Sequence, residues 1–213
     1  MEEDMIKYYS ERANEYENIY RKPERQEDIL KATIQLQEIF SGADIFEIAC
    51  GTGFWTERMA ITANQILATD LSEEVLSIAR NKQYEKHNVV FQSADIFNLP
   101  TEFKFKNLFG GFIWSHIPFE KLPAFLDNLI EHADENARFV FMDNNFVAQS
   151  STPVSEIDAA GNTFQIRQLQ NGQLYKVLKN FPTEESLRLL LKGKSKEIQF
   201  IDLTYFWILI FSI

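Results

Sequence analysis

The stretch Glu47-Ile48-Ala49-Cys50-Gly51-Thr52-Gly53 puts a carboxylate just ahead of two glycines with a single residue between them. Glycine lacks a Cβ, so the backbone there can turn sharply and let a ligand approach the main chain. Ala43 to Ala49 is apolar and β-compatible and follows the turn-like Ser41-Gly42, which predicts a short buried strand. Phe54 to Ala60 reads as the first turns of a helix. Strand, glycine turn and helix start make a nucleotide-binding corner with backbone N–H groups facing the ligand. A dinucleotide fingerprint would carry a third glycine where Thr56 stands.

Further polar residues fall at the carboxyl ends of the strands that follow, the edge where open α/β sheets bind ligands. Asp70 is placed to accept from both hydroxyls of a ribose, because a carboxylate takes two donors at once. The alternative, capping the next helix, falls more naturally to Ser72. Asp95 suits either an adenine amine, with Ile96 packing on the ring, or a solvated turn. An ordinary imidazole titrates near neutrality, which makes His116 a candidate general base; the alternatives are that it shapes the turn before Pro118 or bonds the N-terminal helix. Tyr20, Arg25, Asp143, Asn144 and Arg167 either reach a substrate or decorate the surface. Cys50 reads as a small apolar residue.

The elements that must position these residues alternate. Ile6, Tyr9, Ala13, Tyr16 and Tyr20 are spaced by three and four, which predicts an amphipathic helix over 5–20. A second helix is expected over 24–40. Strands are expected over 65–69, 88–93, 108–114 and 138–142, with helices from Ser72 to about Tyr84 and from Pro118 to about His132. Gly110-Gly111 inside the fourth strand signals close approach. This alternation predicts a parallel sheet with helices on both faces and right-handed crossovers. After an irregular loop over 146–158, Asn171-Gly172 marks a hairpin between 164–169 and 173–178. A short helix over 183–192 and a last strand or strand pair over 198–211 complete the chain.

At 213 residues and 45% hydrophobic, one globular domain is expected. A net charge of -10 argues against nucleic acid and anionic membranes as partners. The single cysteine fits a reducing cytoplasm, and Met1-Glu2-Glu3-Asp4 lacks the features of a signal peptide. His87, His116 and His132 are not at metal-ligand spacing. Tyr205 to Ile213 is too short to span a bilayer. Oligomeric state leaves no trace in the sequence.

Taken together, Glu47 to Gly53, then Ala68-Thr69-Asp70-Leu71-Ser72, then Ser93-Ala94-Asp95 resembles the ordered motif series of class I S-adenosylmethionine-dependent methyltransferases. Tyr8-Tyr9 with Ala13-x-x-Tyr16, and Gly111 to Pro118, are similar to a small-molecule subset of that family. The resemblance implies an α/β fold, a Rossmann-like three-layer sandwich whose mostly parallel seven-stranded sheet has its last strand antiparallel, preceded by N-terminal helices. It implies a single domain over 1–213: helices over 1–42 covering the cofactor site, a cofactor-binding half over 43–143, and a substrate side over 144–213.

It further implies that Glu47 and the Gly51–Gly53 backbone hold the methionyl end, Asp70 the ribose, and Asp95 and Ile96 the adenine. Tyr8, Tyr9, Ala49, Thr52, Thr56, Leu71, Ser72, Trp114 and Ser115 complete the implied cofactor set. Tyr8, Tyr9, Trp55 and Trp114 are candidates to face the sulfonium. The acceptor implied is a small molecule, and His116, just beyond the fourth strand, is the candidate base for it beside its structural reading. One departure is Phe105-Lys106-Asn107, where the family commonly opens its fourth strand with aspartate. Two other readings stay open: a nicotinamide-dependent oxidoreductase or epimerase, and a non-catalytic S-adenosylmethionine-binding protein.

Overall fold

The computed structural model describes residues 12–100 and 103–213. Seven strands form the main sheet: β1 (Asp44–Ile48), β2 (Gln65–Asp70), β3 (Val89–Ser93), β4 (Phe105–Gly111), β5 (Ala133–Asn144), β9 (Ile198–Asp202) and β10 (Phe206–Ser212). Their order is β3-β2-β1-β4-β5-β10-β9. β1 to β5 pair in parallel, and β10 lies antiparallel between β5 and β9. A second sheet of β6 (Glu156–Ile157), β7 (Thr163–Gln168) and β8 (Leu174–Leu178) is antiparallel. The helices are α1 (Gln26–Ile39), α2 (Phe54–Ala60), α3 (Glu73–Arg80), α4 (Leu122–Glu131) and α5 (Glu184–Leu191).

Period-two alternation splits the strands between two cores. Ile45, Phe109, Val140, Met142 and Ile208 pack with Ala32 and Leu36 of α1 and Met59 of α2. Phe46, Leu108, Phe139, Phe141 and Leu209 point the other way, toward Phe125 and Leu129 of α4 and Leu191 of α5. Helices therefore cover both faces, as the alternation predicts. Gly110 explains itself here: a Cβ would stand 2.8 Å from the Phe141 ring.

Several boundaries differ from expectation. β4 ends at Gly111 and the chain turns into a short 3-10 segment, Trp114–His116, because Phe112 adopts φ 61°, outside the extended region. β5 begins at Ala133 rather than at Arg138, since its exposed first residues reveal no periodicity. Ser72 caps α3, accepting from the Val75 amide at 3.5 Å, and α3 ends at Arg80. The predicted N-terminal helix is a 3-10 helix over Ala13–Arg21. The part of that prediction before residue 12, and with it Tyr8 and Tyr9, lies outside the described residues. Asn171-Gly172 makes the expected turn, with Gly172 at φ 87° and the Asn171 side chain accepting from the Gln173 amide. Strand β6 falls inside the segment expected to be irregular.

Candidate active site

The corner after β1 is built from left-handed backbone. Ala49, Gly51 and Gly53 take φ of 51°, 56° and 77°, and the strain at the non-glycine Ala49 marks a turn held by its surroundings. The Gly51 amide donates to Asp70 Oδ2 at 2.9 Å and the Ser72 amide to Asp70 Oδ1 at 3.0 Å. The carboxylate at the end of β2 thus ties the glycine turn to the start of α3. Burial raises its pKa, against the pull of these amides.

A cleft of about 750 Å³ opens along this edge. Ala49, Gly51, Asp70, Leu71 and Ser72 line it at one side, Ala94, Asp95 and Ile96 at another, and Gly111, Phe112, Ile113 and His116 at the far end. Tyr16 closes over the glycine turn, its ring 3.7 Å from where a Gly51 Cβ would sit. Asp95 is held by the Phe97 amide at 2.9 Å and the Asn98 side chain at 2.7 Å, which fixes its orientation at the rim.

Glu47 lies beneath this floor, 2% exposed. Its Oε2 has no hydrogen-bond partner among the described residues. Burial, assisted by the neighbouring Asp70 charge, pushes its carboxyl up to about 8. At that value the carboxyl is protonated near pH 7, and a cation brought to the unmet oxygen would displace the proton. The ammonium of a methionyl group has that chemistry, so the residues present fit the cofactor that the motif series implies.

Other expected residues sit elsewhere. Trp114 is fully buried in the core, edge-on to Phe141 at 4.9 Å and to Trp207 at 6.2 Å. Ser115 is also buried; its amide donates to Asp143 Oδ2 and its hydroxyl accepts from Lys179 Nζ at 2.6 Å. Neither residue lines the cleft. Thr52 is turned toward the N-terminal 3-10 helix, donating to Glu17 Oε1 at 2.9 Å. Gly53 packs against Tyr84 and Ala79, and Thr56 is buried at the start of α2. Trp55 stacks on Phe112, and the aromatic residues that line the cleft among the described residues are Tyr16 and Phe112. Tyr16 and Phe112 stand in the sequence within an apolar stripe and a strand end and within the motifs Ala13-x-x-Tyr16 and Gly111 to Pro118, but the resemblance assigns neither to the cofactor site.

His116 is 6% exposed. Its Nδ1 lies 2.6 Å from the Leu178 carbonyl, an acceptor, so Nδ1 carries the hydrogen and the lone pair is on Nε2. Burial, with the charges of Lys179 and Arg167, depresses its pKa well below the usual value. The imidazole is therefore neutral near pH 7. Behind it, the Lys179 ammonium bonds Asp143 Oδ1 at 2.8 Å. Burial acts to raise the Asp143 carboxyl, but the Lys179 charge, with the hydrogen bonds from Lys179 and the Ser115 amide, overrides it and holds it below the usual carboxylate range.

His116, Tyr16 and Phe112 also border a second cleft of about 390 Å³. That cleft shares Arg25, Asn144, Arg167 and Lys179 with a third and larger one of about 1100 Å³. Arg25, Asp143, Asn144 and Arg167 are therefore gathered beside His116 rather than scattered over the surface.

Residues 45–136 match the family described as methyltransferase domain. A demethylmenaquinone methyltransferase from Staphylococcus saprophyticus is 25% identical over 99 residues, 41% of this chain and 42% of that one. A ribosomal RNA small subunit methyltransferase A from Latilactobacillus sakei is 32% identical over 75 residues, 34% of this chain and 25% of that one. The chain thus aligns with less than half the length of each of these curated relatives. Among solved structures, DhpI in its SAH complex superposes with a TM-score of 0.81 at 22% identity, over 98% of this chain and 95% of that one.

Proposed function

We propose, from the match of residues 45–136 to the methyltransferase domain family, that this chain uses S-adenosylmethionine to methylate a small-molecule acceptor. The observation that carries the reading is the cleft along the carboxyl edge, with Asp70 at one side, the orphaned Glu47 oxygen beneath its floor and His116 at the far end. When bound, the cofactor supplies a methyl group on an electron-poor sulfonium sulfur. The chain contributes orientation and exclusion of water. In this reading Glu47 and the glycine turn hold the methionyl end, Asp70 and Ser72 the ribose, and Asp95 and Ile96 the adenine. Tyr16 covers the glycine turn against solvent. His116, neutral with its lone pair on Nε2, is the group positioned to take a proton or a hydrogen bond from the acceptor.

Residues 43–143 then form the cofactor-binding half, and 144–213 carry the acceptor side. A small acceptor is supported by the confined volume beyond His116, and the net charge of -10 weighs against nucleic acid. Among the described residues no helix is long and apolar enough to cross a membrane.

The test is titration calorimetry of S-adenosylhomocysteine into the wild type and Asp70→Asn. The variant loses one charged acceptor, worth about 1.5–3 kcal/mol, so its dissociation constant should rise at least roughly tenfold. Equal affinities for both proteins would sink the assignment of Asp70. Absence of binding to the wild type would sink the cofactor.

A further inference from the structure

The wall of the cleft changes sign beyond His116. Lys22, Arg25, Arg167, Lys179 and Arg12 line the two spaces on that side, and among the described lining residues Glu15 is the one acid. This happens in a chain whose net charge is -10, so composition does not account for it.

Arg25 is the most informative of these. It is 4% exposed, and no carboxylate among the described residues lies within ion-pair distance of it. Its two terminal nitrogens donate to Asn144 Oδ1 at 3.3 Å and Ser150 Oγ at 3.2 Å, while its Nε has no partner. The guanidinium lies 5.4 Å from the Tyr205 ring centre and 5.9 Å from that of Phe206. Lys22 donates to the Ser150 carbonyl at 2.8 Å and likewise forms no ion pair among the described residues. Glu24 accepts from the Ser150 hydroxyl at 3.0 Å, so that hydroxyl links its carboxylate to Arg25, and the charges of Glu24 and Asp28 both act on the guanidinium. Lys179 has its carboxylate in Asp143, yet its pKa falls to about 8 through burial, with Arg167 and Arg25 adding to the effect. Arg167 donates to Gln165 Oε1 from Nε at 3.2 Å and from a terminal nitrogen at 2.8 Å. Cations that converge on one cavity in excess of the acids lining it make a site complementary to an anion.

We propose that the methyl acceptor is a small oxyanion carrying at least two negative charges, seated beyond His116 on the side chains of Arg25, Arg167 and Lys22. This rests on the methyltransferase reading of the neighbouring cleft. A tetrahedral phosphate-type group and a pair of carboxylates share the required chemistry, and guanidinium forks receive both.

The test is calorimetry on the full chain, with and without saturating S-adenosylhomocysteine, at fixed ionic strength in chloride. Inorganic phosphate is titrated in one series and succinate in another. At least one should bind saturably, and which one tells the tetrahedral from the dicarboxylate form. Arg25→Gln and Arg167→Gln should each weaken that anion by roughly tenfold or more, leaving S-adenosylhomocysteine affinity unchanged. Lys31→Gln, on an exposed α1 pair with Glu27, should behave as wild type. Arg167→Gln keeps the test open if Arg25→Gln does not fold. The proposal is overturned if neither anion binds saturably, or if the folded arginine variants bind as wild type does. If anions bind with the expected arginine dependence but S-adenosylhomocysteine does not bind, the anion site stands and the cofactor reading falls.

Discussion

Glu47 is the residue whose chemistry is most at odds with its place. It is a carboxylate with an unmet oxygen under the glycine turn, pushed up to about 8 from its ordinary 4.5. Between those two values the unfolded chain has released this proton while the native state retains it. Stability from this group is therefore greatest below pH 4.5, falls as pH rises toward 8, and is level above that. Glu47→Gln should remove that slope. Thermal unfolding at pH 5 and pH 8 checks it: the wild type should lose more between the two than the variant does, and parallel losses would refute the account. The same residue shows what sequence reveals at this scale. A Glu before Gly-x-Gly was legible as a pattern, and so was the carboxylate at Asp70. The left-handed Ala49, the burial of Trp114 and the diversion of Ser115 into the Asp143–Lys179 cluster were not. These depend on which face a residue presents after a turn, and a short 3-10 segment has no period to read.

Among the elements, the small sheet hangs on the main one at a narrow seam. The Asn180 amide donates to the Ser115 carbonyl at 2.8 Å. Its side chain donates to the Ile117 carbonyl and to Asn162 Oδ1 and accepts from the Thr163 amide. Asn162 Oδ1 in turn accepts from the Phe119 amide at 2.8 Å. Asn180 is 1% exposed, so Asn180→Ala leaves several buried groups without partners, at a cost of about 1–3 kcal/mol for each group stranded. Urea denaturation should show a lower midpoint with the slope unchanged, whereas a midpoint equal to the wild type would show that the seam contributes little. The parallel half was legible because strand and helix periods alternate cleanly there. The seam was not, because its bonds join residues some sixty positions apart, and no local pattern encodes that pairing.

On the scale of the whole molecule, an acidic surface encloses a basic interior cleft. The outer charge repels polyanions at a distance, and the cleft attracts only what fits inside it. A duplex RNA oligonucleotide should therefore not be retarded in a mobility-shift gel at 0.15 M salt with micromolar protein, since non-specific binding depends on exposed cationic surface. A retarded band would reverse the reading of the acidic exterior. The seven strands and the antiparallel β10 emerge at this scale, and the resemblance implied both, whereas the strand order comes from the structure alone. The internal cleft does not follow from net charge, because summing charges discards where each is placed.

The seam bears on how such a protein could be re-purposed. Loops beyond β5 reach the acceptor side through a few anchoring residues, Asn162, Lys179 and Asn180, whereas the nucleotide corner is fixed by the bonds of Asp70 to Gly51 and Ser72. On the proposed reading, a foreign segment grafted over 146–180 that keeps those three anchors rewrites which molecule is accepted and leaves the donor end of the machine as it was.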